Sequence, residues 1–145
     1  MITAAELLRP KGAFLGPLLD KQYAVLDHKW LEKEFLPFYR GAVADLRHLA
    51  SRSGEASDCD NDGMFLRQMV GLAGIVGKTE EPAVAQIVVL QNRAFSGGNR
   101  TKENHSVGLF LTDRGWYVLE PQNGEHLVAF SRYANRKTLR YATFH

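Results

Sequence analysis

The sequence predicts one α+β domain, with helices first and an antiparallel meander after them, on three observations. Between Asp27 and Leu72 apolar residues recur at helical spacing, first Trp30, Leu31, Phe35, Phe38, Val43, Leu46 and Leu49, then Met64, Phe65, Met69, Val70 and Leu72. From Val84 the period changes, and Val84 to Leu90 is a β-branched, apolar run. Beyond it two turn signals, Asp113-Arg114-Gly115 and Gln122-Asn123-Gly124, separate short strand-like runs. A chain of 145 residues holds one hydrophobic core and is too short for two comfortable ones, so residues 1–145 form a single domain.

In chain order, Thr3 is placed to cap a short helix that stops at Pro10, and Lys11 to Leu19, rich in Gly and Pro, reads as loop. Tyr23 to Leu26 is extended, and Asp27 is a good N-cap for a helix beginning at His28. The run from His28 to about residue 50 is interrupted by Pro37, which predicts two helices or one kinked helix. Ser51 to Ser57 is a polar loop. A helix capped by Asp58 then begins at Cys59, and Gly71, Gly74 and Gly77 end it before a turn at Thr79 to Pro82. After the Val84 strand, Phe95 to Asn104 reads as a mobile polar loop. His105 to Thr112 and Trp116 to Glu120 form a hairpin, a strand follows near Leu127 to Phe130, and Leu139 to Phe144 is the last strand.

Composition excludes more than it assigns. At 45% hydrophobic and 23% charged, the chain has the make-up of a globular protein. No stretch approaches the roughly eighteen apolar residues of a membrane span, and the first residues have no secretory-signal pattern; the expected location is cytoplasmic. A single cysteine rules out an internal disulfide. A net charge of +2 does not argue for nucleic acid or membrane. Arg132, Arg136, Lys137 and Arg140, interleaved with Tyr133 and Tyr141, therefore read as a solvated face rather than a grip on a phosphate backbone.

That lone cysteine stands in Ser57-Asp58-Cys59-Asp60-Asn61-Asp62-Gly63. In the first turn of a helix, unpaired N–H groups and the dipole favour a thiolate, whereas Asp58 and Asp60 oppose it. A histidine must then supply the activation. Cysteine catalysis also needs a third polar group to orient that histidine. The hairpin provides both, because the first residue of one strand lies near the last residue of its partner, which puts Glu120 beside His105. Two metal readings compete for these residues. Asp58-x-Asp60-x-Asp62-Gly63 opens like a calcium loop, but its twelfth position is Met69 instead of Glu. A zinc site from His105, Glu120 and His126 would draw one ligand from a separate turn. Neither is preferred, and no metal or cofactor is expected.

Cys59 opening a helix, then His105, then Gly115-Trp116-Tyr117-Val118-Leu119-Glu120-Pro121, resembles the transglutaminase-like branch of the papain-like cysteine peptidase superfamily. Asp58-Cys59-Asp60 is similar to the opening of small phage and bacterial members. The resemblance covers residues 57–124. It implies a papain-like core in which the cysteine helix packs on the antiparallel sheet. It also implies a catalytic triad: Cys59 as nucleophile, His105 as general base and then acid, and Glu120 as the orienting group. The oxyanion hole would use the Cys59 backbone N–H and a side chain from Gln22, Tyr23 or Trp30. The implied activity is a cysteine-dependent hydrolase or acyltransferase acting on an amide of a peptide or protein through a thioester. The chain departs from the family pattern at Asp62-Gly63, where an aromatic residue and Ala are usual, and at Ser106-Val107, where a small residue and Trp are frequent. The alternative is a papain-like domain that binds without turnover.

Overall fold

The computed structural model describes residues 2–3, 14–15, 22–53, 59–74, 81–93 and 99–144. Asp27 caps as its position predicts: extended at φ −71°, ψ 116°, it accepts the N–H groups of Lys29 and Trp30 and starts α1 (His28–Trp30). Pro37 does not split the run. A π-helical turn, Leu31–Phe35, sits just before α2 (Leu36–Ser53), and Leu36 donates to the Leu31 carbonyl five residues back. Widening this turn makes room for a ring that would crowd an ordinary α turn and has no N–H to give. The helix therefore runs on to Ser53, into the stretch expected to be loop.

Cys59 opens α3 (Cys59–Gly74) as expected, while its expected cap, Asp58, lies outside the described residues. Gly71 is inside this helix rather than at its end. The buried face also differs from the apolar stripe. Gly63, Leu66 and Val70 are buried, whereas Met64 and Leu72 are 51% and 69% exposed. Close approach to the sheet selects the small residue, not the large ones.

The main sheet has the order β2 (Phe14–Leu15), β8 (Leu139–Thr143), β4 (Val84–Arg93), β5 (Asn99–Thr112), β6 (Gly115–Leu119), β7 (Leu127–Ala129). Its meander is β4 (Val84–Arg93), β5 (Asn99–Thr112), β6 (Gly115–Leu119) and β7 (Leu127–Ala129). β8 (Leu139–Thr143) returns to pair antiparallel with the other edge of β4, and β2 (Phe14–Leu15) adds a parallel pair outside β8. The sheet is thus antiparallel except at that edge. β1 (Ile2–Thr3) pairs antiparallel with β3 (Gln22–Tyr23). Thr3 is accordingly a strand residue; the rest of the helix expected up to Pro10 falls outside the described residues, as does most of Lys11–Leu19.

β5 begins six residues before His105, so residues 99–104 are strand and not the expected loop, and His105 sits mid-strand. Pairing continues outward through Leu90↔Asn104 and Gln91↔Glu103. Backbone groups satisfy a ladder whatever side chains they carry, which is why polarity misled here. Thr112 pairs with Gly115 around a two-residue turn, and Gly115 at φ 107° takes a conformation closed to most other residues.

Register sorts the side chains to two faces. Val84↔Phe110, Gln86↔Gly108 and Val88↔Ser106 share one face, and Ala85↔Leu109, Ile87↔Val107 and Val89↔His105 share the other. The first packs against Leu31, Phe35, Leu36, Tyr39, Leu66 and Val70 of the helices. On the second, Ile87, Val89, Val107, Leu109 and Val118 form a core with Tyr23, Tyr133 and Phe144. The protein is an α+β domain, helices on one face of a mostly antiparallel sheet. Among the described residues no helix is long and apolar enough to cross a membrane.

Candidate active site

Two of the three residues expected to act together are in contact. His105 Nε2 lies 2.8 Å from Glu120 Oε2, and both residues are buried, at 5% and 6% exposure. The tight turn after Thr112 sets this up: with Gly108 opposite Leu119, Glu120 emerges from β6 one pair further along, diagonal to His105 on the same face. Glu120 lies just past the end of β6 instead of within it. A carboxylate only accepts, so His105 donates through Nε2 and keeps Nδ1 for another partner. Each polar group thereby satisfies the other where water is scarce.

The segment after Glu120 folds back at once. Gly124, at φ 67°, donates its N–H to the Glu120 carbonyl at 2.9 Å. Three side chains of α2 grip this turn: Tyr39 Oη donates to the Pro121 carbonyl at 2.7 Å, Arg47 Nε to the Gln122 carbonyl at 2.8 Å and Arg40 Nε to the Gly124 carbonyl at 2.8 Å. Gln122 donates its own N–H to Glu120 Oε1 at 3.3 Å, which leaves the carboxylate bonded at both oxygens. Between α2 and the turn lies a cleft of about 340 Å³, lined by Arg40, Val43, Ala44, Arg47, Gln122, Asn123 and Glu125. Burial, and then the negative charge of Asp62, pushes the Tyr39 hydroxyl well above the usual phenol range.

Cys59 is half-buried at the head of α3. The helix is seated on β5 through glycine. A Cβ on Gly63 would stand 2.5 Å from Ser106 Oγ, and one on Gly108 would run into Leu66 Cδ2. Helix and strand therefore run the same way. Four residues before Gly63 is about 6 Å back along the helix, or about two residues along a strand, so Cys59 stands roughly level with Asn104 and His105. His105, however, leaves the sheet on the face of Val89, opposite to Ser106 and α3. Described pairing of β5 with β6 ends at Gly108, so the edge of β5 beside His105 carries no neighbouring strand among the described residues.

The acidic stretch after Cys59 is helix, not loop. Asp62 is buried in the first turn of α3 and accepts from Arg47 Nη2 at 3.1 Å. Asp58 and the Asp60 side chain lie outside the described residues. His126 is exposed, and among the described residues no group of three His, Cys, Asp or Glu is arranged to hold a metal. Of the residues considered for the oxyanion hole, Tyr23 is in the core with its ring 6.1 Å from that of Phe144, Trp30 packs on Phe35 at 5.4 Å, and Gln22 is exposed in β3. Arg132, Arg136, Lys137 and Arg140 are exposed, but the tyrosines among them are not: Tyr133 is buried and Tyr141 half-buried. Sequence reasoning missed Arg40 and Arg47, for which spacing on a helix is no signal.

No family model matches this chain, no curated protein matches it, and no solved structure matches it.

Proposed function

We propose that the protein is a transglutaminase-like, papain-like cysteine acyltransferase or hydrolase, acting on an amide of a peptide or protein with Cys59, His105 and Glu120 as its triad. The observation that carries this reading is the buried 2.8 Å contact between His105 Nε2 and Glu120 Oε2; the cysteine helix is seated on the other face of the same strand, at Ser106. In the reaction, His105 Nδ1 takes the thiol proton and the Cys59 sulfur attacks the amide carbonyl carbon. The tetrahedral adduct collapses, the C–N bond breaks, and the amine leaves with the proton from Nδ1. The resulting thioester is resolved by water or by a second amine, whose proton passes to Nδ1 as the thiolate departs. Glu120 holds the ring in the tautomer that frees Nδ1 and stabilises the imidazolium.

The test is intact-mass detection of an acyl group on Cys59 after mixing with an activated ester, followed by its loss to water or an added amine. The expected result is a stoichiometric adduct that forms on the folded chain and then decays. No adduct, with iodoacetamide alkylating Cys59 no faster than a simple thiol does, overturns it. One observation favours the second reading, a domain that binds without turnover: His105 leaves β5 on the face away from α3. The same negative result would support it.

A further inference from the structure

Resting on the triad reading, we propose that Arg47 is a positioning residue: from α2 it fixes the Glu120 carboxylate against His105 and ties that pair to the first turn of the cysteine helix. Its guanidinium makes two bonds in different directions, through Nε to the Gln122 carbonyl at 2.8 Å and through Nη2 to Asp62 Oδ2 at 3.1 Å. Gln122 in turn donates its N–H to Glu120 Oε1 at 3.3 Å, and Glu120 Oε2 meets His105 Nε2 at 2.8 Å. An unbroken series of hydrogen bonds, Asp62–Arg47–Gln122–Glu120–His105, thus joins α3 to β5 by way of α2 and the turn after β6.

Arginine suits this junction because its planar fork presents several donors in fixed directions, whereas a lysine is a single point donor on a flexible stem. Holding the Gln122 carbonyl fixes the residue whose N–H anchors Glu120 Oε1. With one oxygen anchored, the carboxylate cannot swing away, and the other oxygen stays on Nε2. Arg40 is the internal comparison. It grips the same turn through the Gly124 carbonyl at 2.8 Å, but no side-chain bond in the series passes through it.

The experiment reads the His105 ring by ¹H–¹⁵N NMR in the full chain and needs no substrate. In the parent, the Nε2–H proton bonded to Glu120 is expected to exchange slowly enough to be observed. Arg47→Met is expected to lose that signal to fast exchange, Arg47→Lys to exchange faster than the parent, and Arg40→Met to keep the parental signal. A folded Arg47→Met with the parental signal overturns the proposal, as does an Arg40→Met that loses it equally. If Arg47→Met does not fold, Arg47→Lys decides: parental exchange in that variant overturns the proposal. A parent that never acylates Cys59 sinks the catalytic reading alone, because the ring signal is measured independently of turnover.

Discussion

Glu120 carries two acceptor bonds, one from His105 and one from the Gln122 N–H, and its substitutions separate the site's parts. Alanine removes both bonds. Glutamine keeps one acceptor oxygen but turns an N–H₂ toward the other donor, so Glu120→Gln should be milder than Glu120→Ala. Loss of the orienting acid costs up to about 10⁴-fold in a serine triad. The loss should be smaller here, since a thiolate–imidazolium pair is already ionised and leans less on its base. In single-turnover acylation of a reactive ester, the expected order of damage is Cys59→Ala with no adduct, then His105→Ala, then Glu120→Ala, then Glu120→Gln. Parental acylation by Glu120→Ala beside a dead His105→Ala would reduce Glu120 to a structural carboxylate. The His105–Glu120 meeting was legible in the sequence because it needs only a two-residue turn and strand alternation. Asp62–Arg47 was not, since the partners stand fifteen positions apart on two different helices and neither carries a pattern pointing to the other.

The seating of α3 on β5 is a packing problem solved by two glycines, one on each element. Gly63→Ala would bring a methyl against Ser106 Oγ at 2.5 Å, with the Gln86 side chain at 3.1 Å and bonded to that same oxygen at 2.8 Å. Overpacking of this kind costs about 1–3 kcal/mol, only partly offset by the roughly 1 kcal/mol that alanine gains over glycine inside a helix. Thermal unfolding should show a lower midpoint for Gly63→Ala, and adding Ser106→Gly should restore part of it. An unchanged midpoint would mean that the helix rides higher on the strand than these contacts require. Gly108→Ala runs into Leu66 Cδ2 and meets the Phe110 ring at 3.2 Å, and should lower the midpoint in the same assay. Element types were mostly readable from period and turn chemistry, including the Asp27 cap and the hairpin. Element extents were not: after the π turn at Leu31–Phe35, α2 runs past Pro37 to Ser53, and β5 reaches back to Asn99 because the ladder with β4 carries it. The helix face on the sheet was also hidden, because a pattern of large apolar residues cannot announce a contact made by glycine.

At the scale of the molecule, two buried tyrosines make stability fall in alkali. Burial is the first cause in both, pushing the Tyr133 hydroxyl up to about 12 and the Tyr39 hydroxyl higher still. In the unfolded chain a tyrosine ionises near pH 10, while these two stay protonated in the fold. The folded state therefore holds more protons above pH 10, and its stability falls as pH rises through that point toward the folded values. Urea midpoints should be level below about pH 9.5 and drop between pH 10 and 12, at most about 1.4 kcal/mol per pH unit for each tyrosine. Tyr133→Phe should flatten that drop; an equally steep fall in Tyr133→Phe and Tyr39→Phe would assign it to other groups. The long-range architecture was beyond the sequence, since nothing local says that β8 returns to β4 or that β2 joins it in parallel. That insertion has a consequence for how the protein is made. β8 fills a place inside the sheet, between β2 and β4, yet follows every other described strand along the chain. While the ribosome is still short of Leu139, the β8 edge of β4 is open, β2 lacks its described partner, and the core around Ala142 and Phe144 is unfilled. Nascent chains stalled before Leu139 should be cleaved rapidly by protease, and chains that have cleared the tunnel through Phe144 should resist it.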